Sequence, residues 1–274
     1  MVPPGGMAVT DDQLYRICAE TYYWKPMQGF FSVLTLRAYL GRQLHFDPPV
    51  LDLGCSDGLF GGLLSRVHGG FKVDAGFDID RVTVKRAHSS PVHRRVMQAD
   101  ARDLPFQTGL FSTIFSNGVL CCVPGGVKQP LEEAARVLKP GGLFLFTMPT
   151  PSFTKILIMP RLLKALGGSP DHYIDRLNAR LHHLNVLDAE TLKEQIEKTG
   201  LLIENITPFF TPREARVWDL LAQHPVRIFG ILRKIPGGAF LSRWPLQKFL
   251  QVYFKKESQQ ADCGYMLITA RKPS

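Results

Sequence analysis

The chain of 274 residues lacks most of the features that would settle its class at a glance. It has only five cysteines, an odd number at spacings that suit no zinc site, so no metal is expected. Reduced and mostly buried thiols point to a cytoplasm-like compartment. No run of 18 apolar residues occurs, which argues against a membrane-crossing helix. The opening MVPPGGMAVTDD lacks the basic start and apolar centre of a secretory signal, so a cytoplasmic location is expected. Repeats and low-complexity tracts are missing too. What remains is a globular composition, 45% hydrophobic and 21% charged, long enough to bury a sizeable core.

Acidic residues are missing from one stretch in particular. Between Leu220 and Lys256 there is no Asp or Glu, while Arg227, Arg233, Lys234, Arg243, Lys248, Lys255 and Lys256 supply seven cations. The net charge is +9, so the rest of the chain carries only +2. The basicity therefore describes the neighbours of that segment more than those of the whole protein. Phe229, Phe240, Trp244, Phe249 and Tyr253 interleave with its cations. The segment 224–256 then has several uses: a solvated face with its apolar side in the core, a lid over a greasy or phosphate-bearing acceptor, or a peripheral contact with an anionic membrane. Nucleic-acid binding is disfavoured, because no RNA-recognition module is present and the remaining surface is nearly neutral.

From residue 48 to 147 strand-like runs alternate with helical ones. VLDLG (50–54), VDAGFDI (73–79), RRVMQAD (94–100), FSTIFSN (111–117) and LFLFTM (143–148) read as strands. Helices are expected at about 58–67, over RVTVKRAHS and over LEEAARVLK (131–139), with Lys-Pro-Gly-Gly as a turn into the fifth strand. The pattern predicts an α/β fold, a doubly wound and mostly parallel sheet. Residues 10–44 read as one or two amphipathic helices. DAETLKEQIEKTG (188–200) is a further helix, and LLIENITPFF and CGYMLITARK are two late strands, an expected hairpin with about fifty residues inserted. The domain reading is a helical cap over 1–47, then one domain over 48–274 with lid insertions at about 150–187 and 208–258.

The chemistry starts at VLDLGCSDG. A strand running through glycines into a helix sets backbone N–H groups and a helix dipole at the sheet's carboxyl edge. Gly54 and Gly58 allow a ligand to approach without a Cβ between. Asp78 ends the second strand twenty residues beyond Gly58, where a carboxylate can accept from two ribose hydroxyls. That combination suits an adenosine compound, dinucleotide or S-adenosylmethionine. A nicotinamide site wants Gly-x-Gly-x-x-Gly, but the chain has Ser56, Gly58 and Gly61 at those places.

In order and spacing, VLDLGCSDG, GFDID, QADARDLPF, FSTIFSNGVL and EEAARVLKPGGLFLFTMP resemble successive motifs of the class I S-adenosylmethionine-dependent methyltransferases, closest to the ubiquinone and menaquinone biosynthesis group. The resemblance covers about 48–150 and, weakly, 188–207. It implies a Rossmann-like seven-stranded sheet whose last strand is antiparallel, with S-adenosyl-L-methionine as cofactor. It also implies that Gly54, Cys55, Ser56 and Gly58 curl around the methionine and ribose, and that Asp52 lies near the cofactor's amino group or braces the loop. Asp78 would take the ribose and Ile79 the adenine face, Asp100 and Ala101 the adenine edge, and Asn117 would expose backbone beside the sulfonium. Asp52 and Asp100 each have a second reading, as a helix cap or a solvated turn residue. Two departures are Ser56 for the middle glycine, and Ser112 where an acidic residue is usual.

Methyl transfer from a sulfonium is an in-line displacement that mainly needs alignment and exclusion of water. A base is required only for an acceptor that keeps its proton. The candidates are His182, His183, His172 and Tyr173, in the insertion that in this family roofs the acceptor pocket; each is also a plausible packing residue. Tyr22, Tyr23 and Trp24 would either close over the cofactor or simply pack their helix. The acceptor expected is small and apolar, with oxygen and carbon both open. The alternatives are an RNA or protein methyltransferase, with Ser-Asn-Gly-Val after the fourth strand disfavouring amino-group methylation of bases, and a binding module without turnover. The sequence leaves the oligomeric state open.

Overall fold

Continuous apolar strands need cover on both faces, and a computed structural model provides it. The structure describes residues 9–22, 26–42, 44–223 and 262–274. Tyr23, Trp24 and the basic segment 224–256 lie outside the described residues. The strands are β1 (Val50–Leu53), β2 (Ala75–Asp78), β3 (Val96–Gln98), β4 (Phe111–Asn117), β5 (Leu138–Pro149), β6 (Leu202–Phe209) and β7 (Tyr265–Arg271). They form one sheet in the order β3-β2-β1-β4-β5-β7-β6. Only β7 runs antiparallel to its neighbours β5 and β6. The winding reverses between β1 and β4, which opens a crevice at their carboxyl ends.

The helices are α1 (Asp11–Thr21), α2 (Pro26–Leu40), α3 (Leu59–Val67), α4 (Arg81–Ala87), α5 (Lys128–Val137), α6 (Phe153–Ile156), α7 (Ile158–Ala165), α8 (Asp171–Leu181), α9 (Ala189–Glu197) and α10 (Pro212–Gln223). Side chains alternate along β5. Phe144 and Phe146 face Leu131 and Ala134 of α5 and Ile196 of α9, whereas Leu143 and Leu145 face the layer built by α1, α2 and α3. Tyr22 belongs to that second layer, so it packs the helix pair. Helix ends follow local chemistry. Thr10 and Gln13 form a capping box on α1, and Asp188 caps α9, which stops at Gly200 with φ +81°.

One turn expectation needs correction. Leu138 already pairs with Phe111, and the register shifts before Thr113, so Lys-Pro-Gly-Gly is an irregularity inside β5 instead of a turn before it. The edge of β7 holds it there: Gly141 N–H donates to Lys272 O and Lys272 N–H to Gly142 O.

The insertion after β5 is held by one buried carboxylate. Asp219 of α10 is fully buried, and its Oδ2 accepts from the N–H groups of Ile158 (3.0 Å) and Met159 (2.8 Å) at the start of α7. Its Oδ1 accepts from the hydroxyl of Tyr173 on α8. Asp219→Ala removes the charged acceptor of three hydrogen bonds, each contributing about 1.5–3 kcal/mol at most. The expected loss is about 3 kcal/mol in urea unfolding, against about 1 kcal/mol for Asp219→Asn; equal losses would show that the charge does not hold these helices.

Candidate active site

The turn after β1 is curled by three left-handed residues, Gly54 (φ +78°), Ser56 (φ +48°) and Gly58 (φ +77°). Cys55 N–H donates to Phe77 O (2.7 Å), which ties the turn to β2. Asp78, at the end of β2, accepts from Ser56 N–H (2.9 Å) at Oδ2 and from Asp80 N–H (3.0 Å) at Oδ1. Each carboxylate oxygen therefore keeps a lone pair for a further donor. Ile79 follows with 62% of its surface exposed, an apolar side chain lying open on the same edge. Ala101 is buried; Asp100 is gripped by the Arg102 guanidinium (2.7 Å), whose hydrogen bonds hold its carboxyl below the usual range. Asn117 turns into the sheet, its Oδ1 accepting from Thr147, so at this edge β4 offers backbone.

Asp52 takes a different place from the residues of the turn. It is buried below the turn, and its Oδ2 meets His93 Nε2 at 2.9 Å. Burial pushes its carboxyl up, with His93 opposing.

The four acceptor-side candidates separate. His182 is exposed and ends α8 in a left-handed conformation (φ +54°). His172 is exposed on α8, and Tyr173 is engaged by Asp219. His183 alone reaches the sheet edge. It is carried there because Leu184 and Asn185 N–H both donate to Cys121 O, and Asn185 Nδ2 donates to Leu120 O and Val123 O. His183 Nε2 lies 2.9 Å from the hydroxyl of Tyr265. Because β7 is antiparallel, its first residue, Tyr265, sits beside Pro149 at the carboxyl edge.

Around this dyad stand aromatic rings: Phe31 at 4.7 Å from the Tyr265 ring, Phe153 at 5.4 Å, Phe210 at 5.7 Å and Phe209 at 5.8 Å. Burial raises the Tyr265 phenol well above its ordinary range, and the thiols of Cys121 and Cys122 add to this. Among the described residues no group of three metal-ligating side chains occurs, and no helix is long and apolar enough to cross a membrane.

Burial lowers His183 from 6.5 to about 4, so the ring is neutral near pH 7. Between pH 6.5 and 4 the unfolded chain takes up a proton that the folded chain refuses, so stability falls with falling pH. His183→Gln should shrink the difference between urea midpoints at pH 7 and pH 4.5. An unchanged difference would show that this ring is not buried as described.

Residues 51–146 match the family described as "Methyltransferase domain". The chain is similar to a fatty-acid O-methyltransferase of Mycolicibacterium smegmatis, 25% identical over 79% of this chain and 69% of that protein. It is also 29% identical to a malonyl-[acyl-carrier protein] O-methyltransferase of Legionella pneumophila, over 39% of this chain and 38% of that one. Among solved structures, a geranyl diphosphate methyltransferase in complex with SAM superposes with a TM-score of 0.57 at 17% identity, covering 99% of this chain and 93% of that chain.

The residues at the edge suit this cofactor on their own terms. A Cβ on Gly54 would sit 2.2 Å from Val119 Cγ2, so glycine here lets the segments after β1 and β4 pack closely against each other. Asp78 has spare acceptor capacity and Ile79 an exposed apolar side chain, the kinds of group a nucleoside can use, and no base or metal is needed to hold a sulfonium. With its strand order, its sheet-edge turn and its family match agreeing, residues 51–146 are a methyltransferase domain, and the enzyme uses S-adenosylmethionine.

Proposed function

We propose that the enzyme methylates an oxygen of a small lipophilic carboxylic acid. The observation that carries this is His183 Nδ1, a buried polar atom with no hydrogen-bond partner, on a ring set among aromatics. Tyr265 keeps its proton, and His183 Nε2 is the partner found for its hydroxyl, so the hydrogen-bond network assigns the phenol as donor and the ring proton to Nδ1. His183 then offers a donor, not a base. A donor suits an acceptor oxygen that is already ionised, and a carboxylate loses no proton when methylated. Burying its chain against Phe31, Phe153 and Phe210 favours an apolar tail. Two relatives that are by name O-methyltransferases, of a fatty acid and of malonyl-[acyl-carrier protein], support the reading.

When bound, S-adenosylmethionine supplies an electrophilic methyl group. The chain's part is to hold the acid, orient one oxygen through His183 and keep water out. In this reading 1–47 caps the site, and the insertions at about 150–187 and 208–258 are its lids. The seven cations of the basic segment suit an anionic acceptor or an anionic membrane beside it.

The test is transfer from labelled S-adenosylmethionine to a series of straight-chain acids, long-chain alcohols, alkylphenols, geranyl diphosphate and RNA, with products identified by mass spectrometry. Methyl esters from the acids are expected, with rate rising with chain length. Transfer confined to phenols, carbon or RNA would overturn the proposal.

A further inference from the structure

Gly58, Gly61 and Gly76 come from three separate elements, the turn after β1, α3 and β2, yet a Cβ on any of them would strike one group of side chains. On Gly61 it would lie 2.7 Å from Asp52 Oδ2 and 3.0 Å from His93 Cε1. On Gly76 it would lie 2.8 Å from His93 Cδ2. On Gly58 it would lie 2.9 Å from Ser90 Cβ and 3.3 Å from His93 Nδ1. Three missing side chains thus make one slot, and the His93 side chain fills it with no exposed surface. The ring is bonded at both nitrogens: Nε2 to Asp52 Oδ2 and Nδ1 to Ser90 Oγ, each at 2.9 Å.

This changes what the glycines mean. Gly58 has a left-handed backbone that the turn requires, but Gly61 sits in a helix and Gly76 in a strand, where glycine weakens the element. Their common purpose is room for an imidazole. That imidazole stands under the cofactor turn, with Ser90 against Gly58 at one end and Asp52, two residues before Gly54, at the other. We propose that His93 is the positioning residue of the cofactor turn: the Ser90–His93–Asp52 strut sets the height and curl of residues 54–58, and through them the affinity for S-adenosylmethionine. Without His93, Asp52 becomes a buried carboxylate with its partner gone, and the turn rests on a ring-sized void.

The inference is independent of the acceptor, because it is read from cofactor binding alone. Calorimetry with S-adenosylmethionine and with S-adenosylhomocysteine would be run beside urea unfolding of each variant. His93→Ala should weaken both ligands about 30-fold, within the range seen when a supporting hydrogen-bond partner is removed. His93→Gln, whose amide can donate to Asp52 and accept from Ser90, should recover to within about 5-fold of wild type. Ser90→Ala, a milder change that keeps the ring in place, should cost about 3-fold to 10-fold. Gly76→Ala, which pushes the ring from the far side, should resemble His93→Ala. In the wild type, the His93 Nε2–H proton resonance should shift when S-adenosylmethionine is added. If the folded variants bind both ligands like the wild type and lose only stability, or if His93→Gln is no better than His93→Ala, the strut does not position the turn.

Discussion

Gly54→Ala should leave a protein with no measurable affinity for S-adenosylmethionine. Two independent causes act at this position. The backbone is left-handed (φ +78°), which costs a residue with a Cβ about 1–2 kcal/mol. The added methyl would also sit 2.2 Å from Val119 Cγ2 and 2.7 Å from Cγ1, so the segments after β1 and β4 must part. Those segments frame the crevice where the sheet reverses its winding. Opening it displaces the turn from Asp78, whose Oδ2 takes the Ser56 N–H. The folded state should lose about 3 kcal/mol, strain and overpacking together. Adding Val119→Ala should recover the packing part of that loss while the backbone part stays. Calorimetry and urea melts on the single and double variants check this. Normal binding by Gly54→Ala would mean that the turn is not the cofactor's seat.

Asp78→Ala is the second large effect, and it should separate binding from folding. A charge-assisted hydrogen bond contributes about 1.5–3 kcal/mol. Losing two ribose bonds, and with them the brace on Ser56, should weaken S-adenosylmethionine about 100-fold to 1,000-fold. The residue lies at a sheet edge and not in the core, so the urea midpoint should move little. Asp78→Asn keeps one oxygen acceptor and should lose about 10-fold to 50-fold. A change below about 5-fold for Asp78→Ala would remove the ribose from this carboxylate.

Much of the architecture could be read from periodicity. The reading of FSTIFSN as the strand 111–117 coincides with β4, and the strand–turn–helix at VLDLGCSDG lies where β1 and α3 do. Such segments are decided by neighbours a few residues away. The curl of the turn after β1 was legible for the same reason, its glycines lying within five residues of one another. Tyr265 was not. Its importance depends on β7 running antiparallel, which sets it beside Pro149 and opposite His183, 82 residues away in the chain. His93 was hidden similarly, in the ordinary loop SSPVHRRV, with Asp52 forty-one residues before it. Gly61 and Gly76 were the available signal, since neither a helix nor a strand gains from glycine without a reason. His182 and His183 looked equivalent in ARLHHLN. The left-handed end of α8 sends one ring to solvent and the next toward the sheet.

The position of β7 between β5 and β6 also bears on biosynthesis. Among the described strands it is the last to leave the ribosome, and it is the one partner that β6 has in the sheet among the described residues. Throughout translation of the preceding fifty-odd residues, β6 and the apolar rim of β5 wait with their backbone groups unpaired. The β5–β7–β6 part of the sheet can therefore close only once Tyr265–Arg271 arrives. Tyr265 meets His183 only in that same closing step, so the contact proposed to orient the acceptor forms last.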